Sequence, residues 1–380
     1  MKTIRVACLF FVILFLFSAL FSGIFLCVKS EAADVSYSSA KAMCVMETSS
    51  KRVLNSKNIN EKLAMASTTK IMTAITAIEN CKDLDEKFEI SPKAVGISGT
   101  SLYLRKGEVF SVRDLLYGLM LISGNDASFA IGEHVGGDIK TFVKMMNETA
   151  LKIGALNSHF DNTHGLDSKT HYTTAYDLAL ITSYAMQNPI FKEIVSTKNT
   201  KITNADGKTR YLKNKNKLLN SFDGCNGVKT GFTDDAGRCL VSSAERDGMT
   251  VVCVVLNCGP MFEECSRHME NAFENYKLYN LTQMYQFENV LPVTNGRSQS
   301  VEVCTYGKYF YPLKESELNK VKITYDIEKT LDAPVEKGQI VGEVKIYIDN
   351  NLHFSEKIFT IESVRRNSIW QKLFDVLTEW

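Results

Sequence analysis

The chain has 380 residues, of which 45% are hydrophobic and 23% are charged, and its formal net charge is +1. This length and apolar content allow two globular domains that each bury a core. The balanced charge, with no stripe of Lys and Arg standing out, excludes an electrostatic case for nucleic-acid binding.

The first 32 residues are organised like a secretory signal. Lys2 and Arg5 precede an apolar stretch from Val6 to Val28, and small residues follow at the positions needed for cleavage after Ala32. The stretch is also long enough to span a bilayer, so an uncleaved N-terminal anchor is the alternative. In both cases we expect the rest of the chain to work outside the cytoplasm.

Cysteine usage leaves two interpretations open. Ten cysteines occur, and Cys8 and Cys27 lie within the signal. The even number that remains is typical of disulfide bridges in an exported protein. However, Cys239, Cys253 and Cys258 lie in apolar strand-like runs, where Cys more often packs as a small hydrophobic residue. We predict that most are free thiols, with bridges as the alternative.

The next elements mix strands and helices. Residues 41–54 read as two short strands about a turn, and helical patterns dominate residues 114–186. Strand patterns return at Val228 and over residues 238–258. This order predicts an α+β domain at residues 33–285, whose sheet is built from both ends of the segment.

The pattern changes after this domain. SVEVCTYGKYFYPL, KVKITYDI and QIVGEVKIYID alternate apolar and polar residues at period two, with turn residues between them. We predict a small β-sandwich-like domain at residues 286–364.

Residues 365–380 predict an amphipathic membrane-anchoring helix. In IWQKLFDVLTEW the apolar residues share one helical face, and Lys372, Asp375 and Glu379 share the other. Both tryptophans of the chain lie here, after Arg365 and Arg366, as an interfacial anchor requires. A helix docked on its own domain is the alternative.

A chemical motif occurs where the first long helix begins. In AMASTTKIMTAITAI, Ser67 and Lys70 are spaced to share one helical face and to hydrogen-bond. A serine hydroxyl needs a base, and a lysine is a base only when neutral. The apolar run that follows Lys70 disfavours the ammonium ion, and a second nearby cation would lower the pKa of the amine further.

Two further motifs follow in order. S-x-N occurs at Ser123 and Asn125, and K-T-G at Lys229-Thr230-Gly231, where a strand is predicted. S-x-x-K alone is a weak signal, since it also occurs at Ser38 within a strand pattern, where residues three apart lie on opposite faces. The ordered set of three is what is specific.

With these motifs, the chain resembles the D-alanyl-D-alanine carboxypeptidases, low-molecular-mass penicillin-binding proteins of the serine-type SxxK acyltransferases. MASTTKIMTA, DLLYGLMLISGNDA, NTHGLD and GVKTGFTDDAG match the family's segments, as does APVEKGQIVGEV in the second domain. The resemblance implies a transpeptidase/β-lactamase-like fold, with an antiparallel sheet, flanking helices and an all-helical subdomain. It also implies activity without metal or cofactor.

The resemblance further implies a role for each motif. Ser67 would be the acylated nucleophile, Lys70 the base and Ser123 a proton relay, and Asn125 would orient the substrate amide. Lys229, with Thr230 and Thr233, would hold the substrate's terminal carboxylate. Gly231 would belong to the same substrate-binding strand. The oxyanion hole would consist of the backbone N–H groups of Ser67 and Phe232.

An arginine further along the chain often helps to bind the carboxylate in this family. The segment CGPMFEECSRHMENAF differs here from the family's pattern, and Arg267 is the match we choose, ahead of Arg238. His164 and His171 are expected to be structural, in a loop or a cap.

The implied partners are a peptidoglycan stem peptide ending in D-Ala-D-Ala, β-lactams as covalent inhibitors, and the membrane surface through the C-terminal helix. No nucleic acid is expected. The signal and the C-terminal helix together predict an exported enzyme at the outer face of the cytoplasmic membrane.

Three other functions compete with this interpretation. A β-lactamase needs a carboxylate after S-x-N, and the nearest sequence, Glu148 to Lys152, lacks the required Asn. D,D-endopeptidases of the superfamily generally lack the second domain. A non-catalytic binder of cell-wall peptide has no need of the intact set of motifs.

Overall fold

The computed structural model describes residues 37–284, 290–305 and 307–368, and from Ser38 onward they form one compact unit. The predicted signal at residues 1–32 and residues 369–380 of the predicted anchoring helix lie outside the described residues, so both stay predictions. Residues 365–368 are described and are not helical, because Arg366 forms an antiparallel bridge with Gly296. Within the described ranges, no helix combines the length and the apolar character needed to cross a bilayer.

The strands of the first half are, in chain order, β1 (Ala42–Glu47), β2 (Val53–Lys57), β3 (Lys87–Glu89), β4 (Val109–Ser111), β5 (Asn199–Thr203), β6 (Thr209–Lys213), β7 (Cys225–Thr233), β8 (Gly237–Arg246) and β9 (Met249–Leu256). Five of them form an antiparallel central sheet in the order β2-β1-β9-β8-β7. The sheet therefore uses both ends of the segment, as predicted. The short hairpins β3-β4 and β5-β6 lie outside it and were not predicted.

The helices of this half are α1 (Lys70–Asn80), α2 (Val112–Tyr117), α3 (Asn125–Gly136), α4 (Ile139–Ile153), α5 (Ala175–Ala185), α6 (Pro189–Ser196), α7 (Leu218–Ser221) and α8 (Met261–Asn275). The sheet packs between helices on both faces, which explains the unbroken apolar run of β9. Val252, Val254 and Leu256 point into the core shared with α1 and α5. Val251 and Cys253 point into the second core, against α8.

The remaining described residues confirm a C-terminal all-β region. Its elements are β10 (Lys277–Asn280), α9 (Leu281–Met284), β11 (Val290–Thr294), β12 (Ser300–Cys304), β13 (Phe310–Leu313), β14 (Val321–Ile327), β15 (Leu331–Asp332), β16 (Ile340–Ile348) and β17 (Asn351–Thr360). A six-stranded sheet has the order β14-β16-β17-β12-β11-β15, and β10 pairs with β13. The domain boundaries at 285 and 364 stay predictions.

Arg52 joins the two parts of this unit. Its Nη1 atom donates to the carbonyl oxygen of Pro312 at 2.6 Å, and its Nη2 atom lies 2.6 Å from Oε1 of Glu317. The guanidinium also stacks near Tyr276 and Tyr311. This half-buried pair fixes β2 against the all-β region more firmly than an exposed ion pair would.

The cysteines of the described residues are free thiols: Cys44, Cys81, Cys225, Cys239, Cys253, Cys258, Cys265 and Cys304. Cys239, Cys253 and Cys258 are fully buried within the sheet and its flank. The apolar context of these residues therefore predicted free thiols correctly, whereas the even number of cysteines would have predicted disulfide bridges.

Candidate active site

Ser67 lies in a single 3-10 turn, Ala66–Thr69, which leads directly into α1. The sequence predicts α-helical spacing here, but in a 3-10 turn side chains three apart are eclipsed, so Lys70 lies directly over Ser67. Ala66 has φ +48°, a left-handed conformation that is uncommon for a non-glycine residue. The serine is therefore presented by a sharply bent backbone.

Strand β7 passes beside this turn at Gly231. A Cβ atom at Gly231 would lie 3.1 Å from the backbone nitrogen of Ser67 and 3.2 Å from the carbonyl oxygen of Met65. Two backbones come this close only where one of them has no side chain. The glycine of K-T-G thus brings the third motif against the first.

The amine of Lys70 is fully buried and is held by three oxygen atoms. Its Nζ atom lies 2.9 Å from Oγ of Ser67, 2.7 Å from Oδ1 of Asn125 and 2.7 Å from the carbonyl oxygen of His164. The last two oxygens can only accept, so they take two N–H groups of the amine. The third substituent direction on the tetrahedral Nζ atom faces the hydroxyl of Ser67.

The charge environment of Lys70 favours the neutral amine. Burial lowers the pKa of Lys70 well below its usual range, and the nearby charges of Lys229 and Lys215 lower it further. Lys229 is itself buried and donates to the carbonyl oxygen of Thr230 at 2.9 Å. Burial, with the charge of Lys215, lowers the pKa of Lys229 to about 7. The charge of Lys229 therefore acts on Lys70 in the direction that the sequence predicts.

Ser123 presents a hydroxyl with no protein partner. It follows the π-helical turn Gly118–Ile122 and has φ +70°, a left-handed conformation. Its Oγ atom is buried and makes no hydrogen bond with any described residue. Buried hydroxyls are nearly always paired, so this group is suited to a ligand in the cavity that Ser123 lines.

Asn125, at the start of α3, is held at both ends of its amide. Oδ1 accepts from Lys70, and Nδ2 donates to the carbonyl oxygen of Ser98 at 2.5 Å. The neighbouring Asp126 accepts from the backbone N–H groups of Leu102 and Leu104 at 2.8 and 3.0 Å. Asp126 thereby shapes the segment containing Thr100, a role that the sequence motifs did not reveal.

The motifs surround a cavity of about 330 Å³. It is lined by Ser67, Thr100, Ser123, Lys215, Lys217, Thr230, Gly231, Phe232, Arg238, Met261 and Phe262. Three of these side chains are cations and none is acidic, so the cavity is suited to an anionic ligand. Lys70, Asn125 and Lys229 lie buried behind this lining.

Lys215 and Lys217 were not predicted. They follow Lys213 in the alternating run K-N-K-N-K, where Asn214 and Asn216 are buried and the lysines are exposed. Nδ2 of Asn216 donates to the carbonyl oxygen of Gly227 at 2.6 Å, which anchors the run against β7. The signal for them in the sequence is the alternation of Lys and Asn, which is too short to form a basic stripe.

The structure does not bring Arg267 to the cavity. Its Nη2 atom lies 3.0 Å from Oε1 of Glu264, within α8. Arg238 lines the cavity instead, because β8 pairs it with Phe232 of β7. Thr233 also points elsewhere, since its hydroxyl donates to Asp167 at 2.8 Å.

Within the described residues, no cluster of three His, Cys, Asp or Glu side chains could hold a metal ion.

Two family models match the chain. The D-alanyl-D-alanine carboxypeptidase model matches residues 28–259, and the model of the penicillin-binding protein 5 C-terminal domain matches residues 273–366. Together they cover most of the α+β part and the all-β part of the described fold, apart from residues 260–272, which hold most of α8.

Individual relatives and a solved structure are similar to the chain in the same way as the family models. The chain is 29% identical over 349 residues to D-alanyl-D-alanine carboxypeptidase DacF of Bacillus subtilis (strain 168), covering 90% of each chain. It is 37% identical over 219 residues to the D-alanyl-D-alanine carboxypeptidase of Streptomyces sp. (strain K15), covering 53% of this chain and 75% of that one. Penicillin-binding protein 5 of Haemophilus influenzae superposes with a TM-score of 0.70 at 27% identity, covering 86% of this chain and 98% of that one.

Proposed function

The chain belongs to the D-alanyl-D-alanine carboxypeptidase family, and we propose that Ser67, Lys70, Ser123 and Lys229 carry its reaction. It is a serine-type D-Ala-D-Ala carboxypeptidase of the penicillin-binding family, which acts on peptidoglycan stem peptides, binds β-lactams and works through an acyl-enzyme. The observation that supports these residue roles is the meeting of all three motifs around one buried lysine amine.

Acylation begins with proton transfer from Ser67 to Lys70. Asn125 and His164 take two N–H groups of the neutral amine, which leaves its lone pair facing the serine hydroxyl. Lys70 accepts the proton while Oγ of Ser67 bonds to the carbonyl carbon of the penultimate D-alanine. The apolar surroundings that keep the amine neutral are therefore part of the catalytic chemistry.

The carbonyl oxygen becomes an oxyanion as this bond forms. We assign its stabilisation to the backbone N–H groups of Ser67 and Phe232, which lie on the two segments that Gly231 brings together. β7 is an edge strand of the central sheet, so its outer backbone groups are open to an extended peptide.

The leaving D-alanine needs a proton on its nitrogen when the peptide bond breaks. Ser123 can supply one because its hydroxyl is buried at the cavity and makes no hydrogen bond with described protein atoms. The proton that Lys70 took from Ser67 then replaces the one that Ser123 gave. Water hydrolyses the resulting ester and frees Ser67.

The terminal carboxylate of the substrate fits the basic side of the cavity. We assign it to Thr230 and Arg238, with the buried charge of Lys229 behind them. Arg238 takes the place that the sequence analysis gave to Arg267, whose guanidinium is paired with Glu264. The hydroxyl of Thr233 donates to Asp167, so it can bind the carboxylate only after this hydrogen bond breaks.

We further propose that the enzyme is exported and stays at the outer face of the cytoplasmic membrane through residues 365–380. The support is the signal pattern of residues 1–32 and the apolar face of the C-terminal sequence. Arg366 is not part of this support, because its guanidinium is bound to Asp332 and to the carbonyl oxygen of Ala333. Membrane attachment would keep the cavity close to newly inserted stem peptides.

Covalent labelling with a fluorescent penicillin tests these residue roles. We expect the wild-type protein to be labelled, Ser67→Ala to be unlabelled, and release of D-alanine from diacetyl-Lys-D-Ala-D-Ala to be lost in the same variant. The matched control is Ser56→Ala, because Ser56 is exposed on β2 and begins a second S-x-N sequence with Asn58, and this variant should match wild type. Labelling that persists in Ser67→Ala would remove Ser67 as the nucleophile.

A further inference from the structure

A loop from which the mechanism uses only the carbonyl of His164 packs against the turn of the nucleophile. Residues 160–171 connect to the turn of Ser67 at three points. The carbonyl oxygen of His164 accepts from Lys70, Gly165 lies against the carbonyl of Ala66, and Nε2 of His171 lies 2.8 Å from Oγ1 of Thr69. The loop therefore holds the turn and the start of α1 in place.

The hydrogen bonds of His171 fix its tautomer. The backbone N–H of Asp161 donates to Nδ1 at 3.0 Å, so Nδ1 must be the unprotonated nitrogen. Nε2 of the neutral ring therefore carries the hydrogen and donates it to Thr69. The ring is 3% exposed and lies edge-on to Phe160, so it has little freedom to turn.

Thr69 passes this constraint to the peptide before the serine. Its hydroxyl accepts from His171 and donates to the carbonyl oxygen of Ala66 at 2.9 Å. Gly165 closes the other side, since a Cβ atom there would lie 1.9 Å from the same oxygen. The carbonyl of Ala66 is thus held in one direction.

A peptide group is planar, and its C=O and N–H point in opposite directions. Holding the carbonyl of Ala66 therefore also sets the direction of the N–H of Ser67. That nitrogen faces β7, where a Cβ atom on Gly231 would come within 3.1 Å of it. The left-handed φ of Ala66 makes the support necessary, because this peptide would otherwise relax towards a more common conformation.

We propose that His171 and Thr69 are positioning residues that aim the N–H of Ser67 at the oxyanion of the acylation step. This inference rests on the proposed role of Ser67. It goes beyond the structural role that the sequence predicted for His171, because the imidazole acts on the reaction through Thr69 and the backbone of the nucleophile.

The charged groups around His171 are consistent with a neutral ring. Asp161 faces it and favours the imidazolium, whereas His159 opposes it, and His164 is the other titratable neighbour. Burial outweighs Asp161 and lowers the pKa of His171 to about 4. At neutral pH the ring therefore keeps Nδ1 free for the N–H of Asp161.

Two substitutions of His171 test the hydrogen bonds of its two ring nitrogen atoms independently. In His171→Gln the side-chain amide reaches the position of Nε2 and can donate to Thr69. In His171→Asn the shorter amide can accept from Asp161 but cannot reach Thr69. We expect His171→Asn to lower kcat and the acylation rate constant for a chromogenic cephalosporin by about tenfold or more, with little change in KM. His171→Gln should recover most of the loss, and the exposed His159→Gln is the matched control.

Equal rates in the Gln and Asn variants would overturn the proposal, whether both match wild type or both fall together with their melting temperatures. A nitrogen-detected NMR spectrum of labelled histidine gives a second readout, and a proton on Nδ1 of His171 would also overturn it. A wild-type protein that no penicillin labels would instead refute the role of Ser67, so the two failures are distinguishable.

Discussion

The Nζ atom of Lys70 lies 2.9 Å from Oγ of Ser67 and has no exposed surface. The amine has reached this position by leaving water, which destabilises its charged form. Two acceptors, Asn125 and the carbonyl of His164, satisfy its N–H groups without adding a negative charge. An aspartate in place of Asn125 would add a negative charge beside the amine and favour the ammonium ion, which is not a base.

The first prediction concerns the pH dependence of acylation. Protonation of Lys70 removes the base, so activity falls as the pH drops through the pKa of Lys70. The positive charge of Lys229 lowers that pKa, so Lys229→Ala should raise it and move the acidic limb of the pH profile to higher pH. The measurement is the pH dependence of the second-order acylation rate constant for a β-lactam.

Lys208→Ala is the matched control, because Lys208 is exposed and lies on the β5-β6 hairpin away from the amine. The acidic limb of the pH profile of Lys208→Ala should lie at the same pH as that of the wild-type enzyme. A limb that stays in place, or moves to lower pH, in Lys229→Ala would contradict the electrostatic role of Lys229.

The second prediction concerns Ser123. Ser123→Ala should lower kcat by about 100-fold, within the range for loss of a positioned proton donor. The same change should leave the melting temperature unchanged or slightly raised, because the Oγ atom makes no hydrogen bond with described residues, and an unpaired buried hydroxyl is costly. Steady-state kinetics and calorimetry of one preparation measure both. A clear loss of stability would mean that Ser123 has a structural partner.

Much of the fold was predictable because its signals are local and periodic. β9 is apolar on both faces, and the two cores that cover it account for that pattern. The all-β region followed from period-two alternation in β12, β14 and β16. The β5-β6 hairpin was missed because its strands carry mainly polar and charged residues, with Ile202 and Leu212 as the buried side chains at its centre.

The active-site residues that lie in sequence motifs were predictable. Those that reach the site only through tertiary contacts were missed. Ser67, Lys70, Ser123 and Lys229 were chosen from ordered motifs. The positions of Arg238 and Arg267 depend on strand pairing and on an ion pair within α8, which no spacing in the sequence encodes. The hydrogen bond between His171 and Thr69 joins residues 102 positions apart, and it needed the fold to be seen.

The third prediction compares the two arginines. Arg238→Ala should raise KM for diacetyl-Lys-D-Ala-D-Ala by about tenfold, since a charge-assisted hydrogen bond to the carboxylate is lost. Arg267→Ala should leave KM unchanged, because the guanidinium is paired with Glu264 outside the cavity. A substrate with an amidated C-terminus should respond equally weakly to both changes. An Arg267→Ala enzyme with the larger rise in KM would restore the original assignment.

The fourth prediction concerns attachment to the membrane. A chain that ends at Arg366 lacks IWQKLFDVLTEW and the preceding Asn367 and Ser368, and it should no longer sediment with membranes. Its turnover of a soluble peptide should equal that of the full chain, because the cavity is lined by residues before position 263. A truncated chain that still sediments would identify the N-terminal segment as the anchor.

The fifth prediction tests the contact between K-T-G and the nucleophile. In Gly231→Ala the new Cβ atom would lie 3.1 Å from the nitrogen of Ser67 and 3.2 Å from the carbonyl oxygen of Met65. Neither is the end of a flexible side chain, so β7 and the turn must move apart, and the two N–H groups of the oxyanion hole separate. The acylation rate constant should fall by at least about tenfold with only a modest loss of stability. Gly259→Ala, where an added Cβ meets no atom within 4 Å, should acylate at the wild-type rate. Equal acylation rates in the two variants would show that the close approach at Gly231 is not needed to align the oxyanion hole.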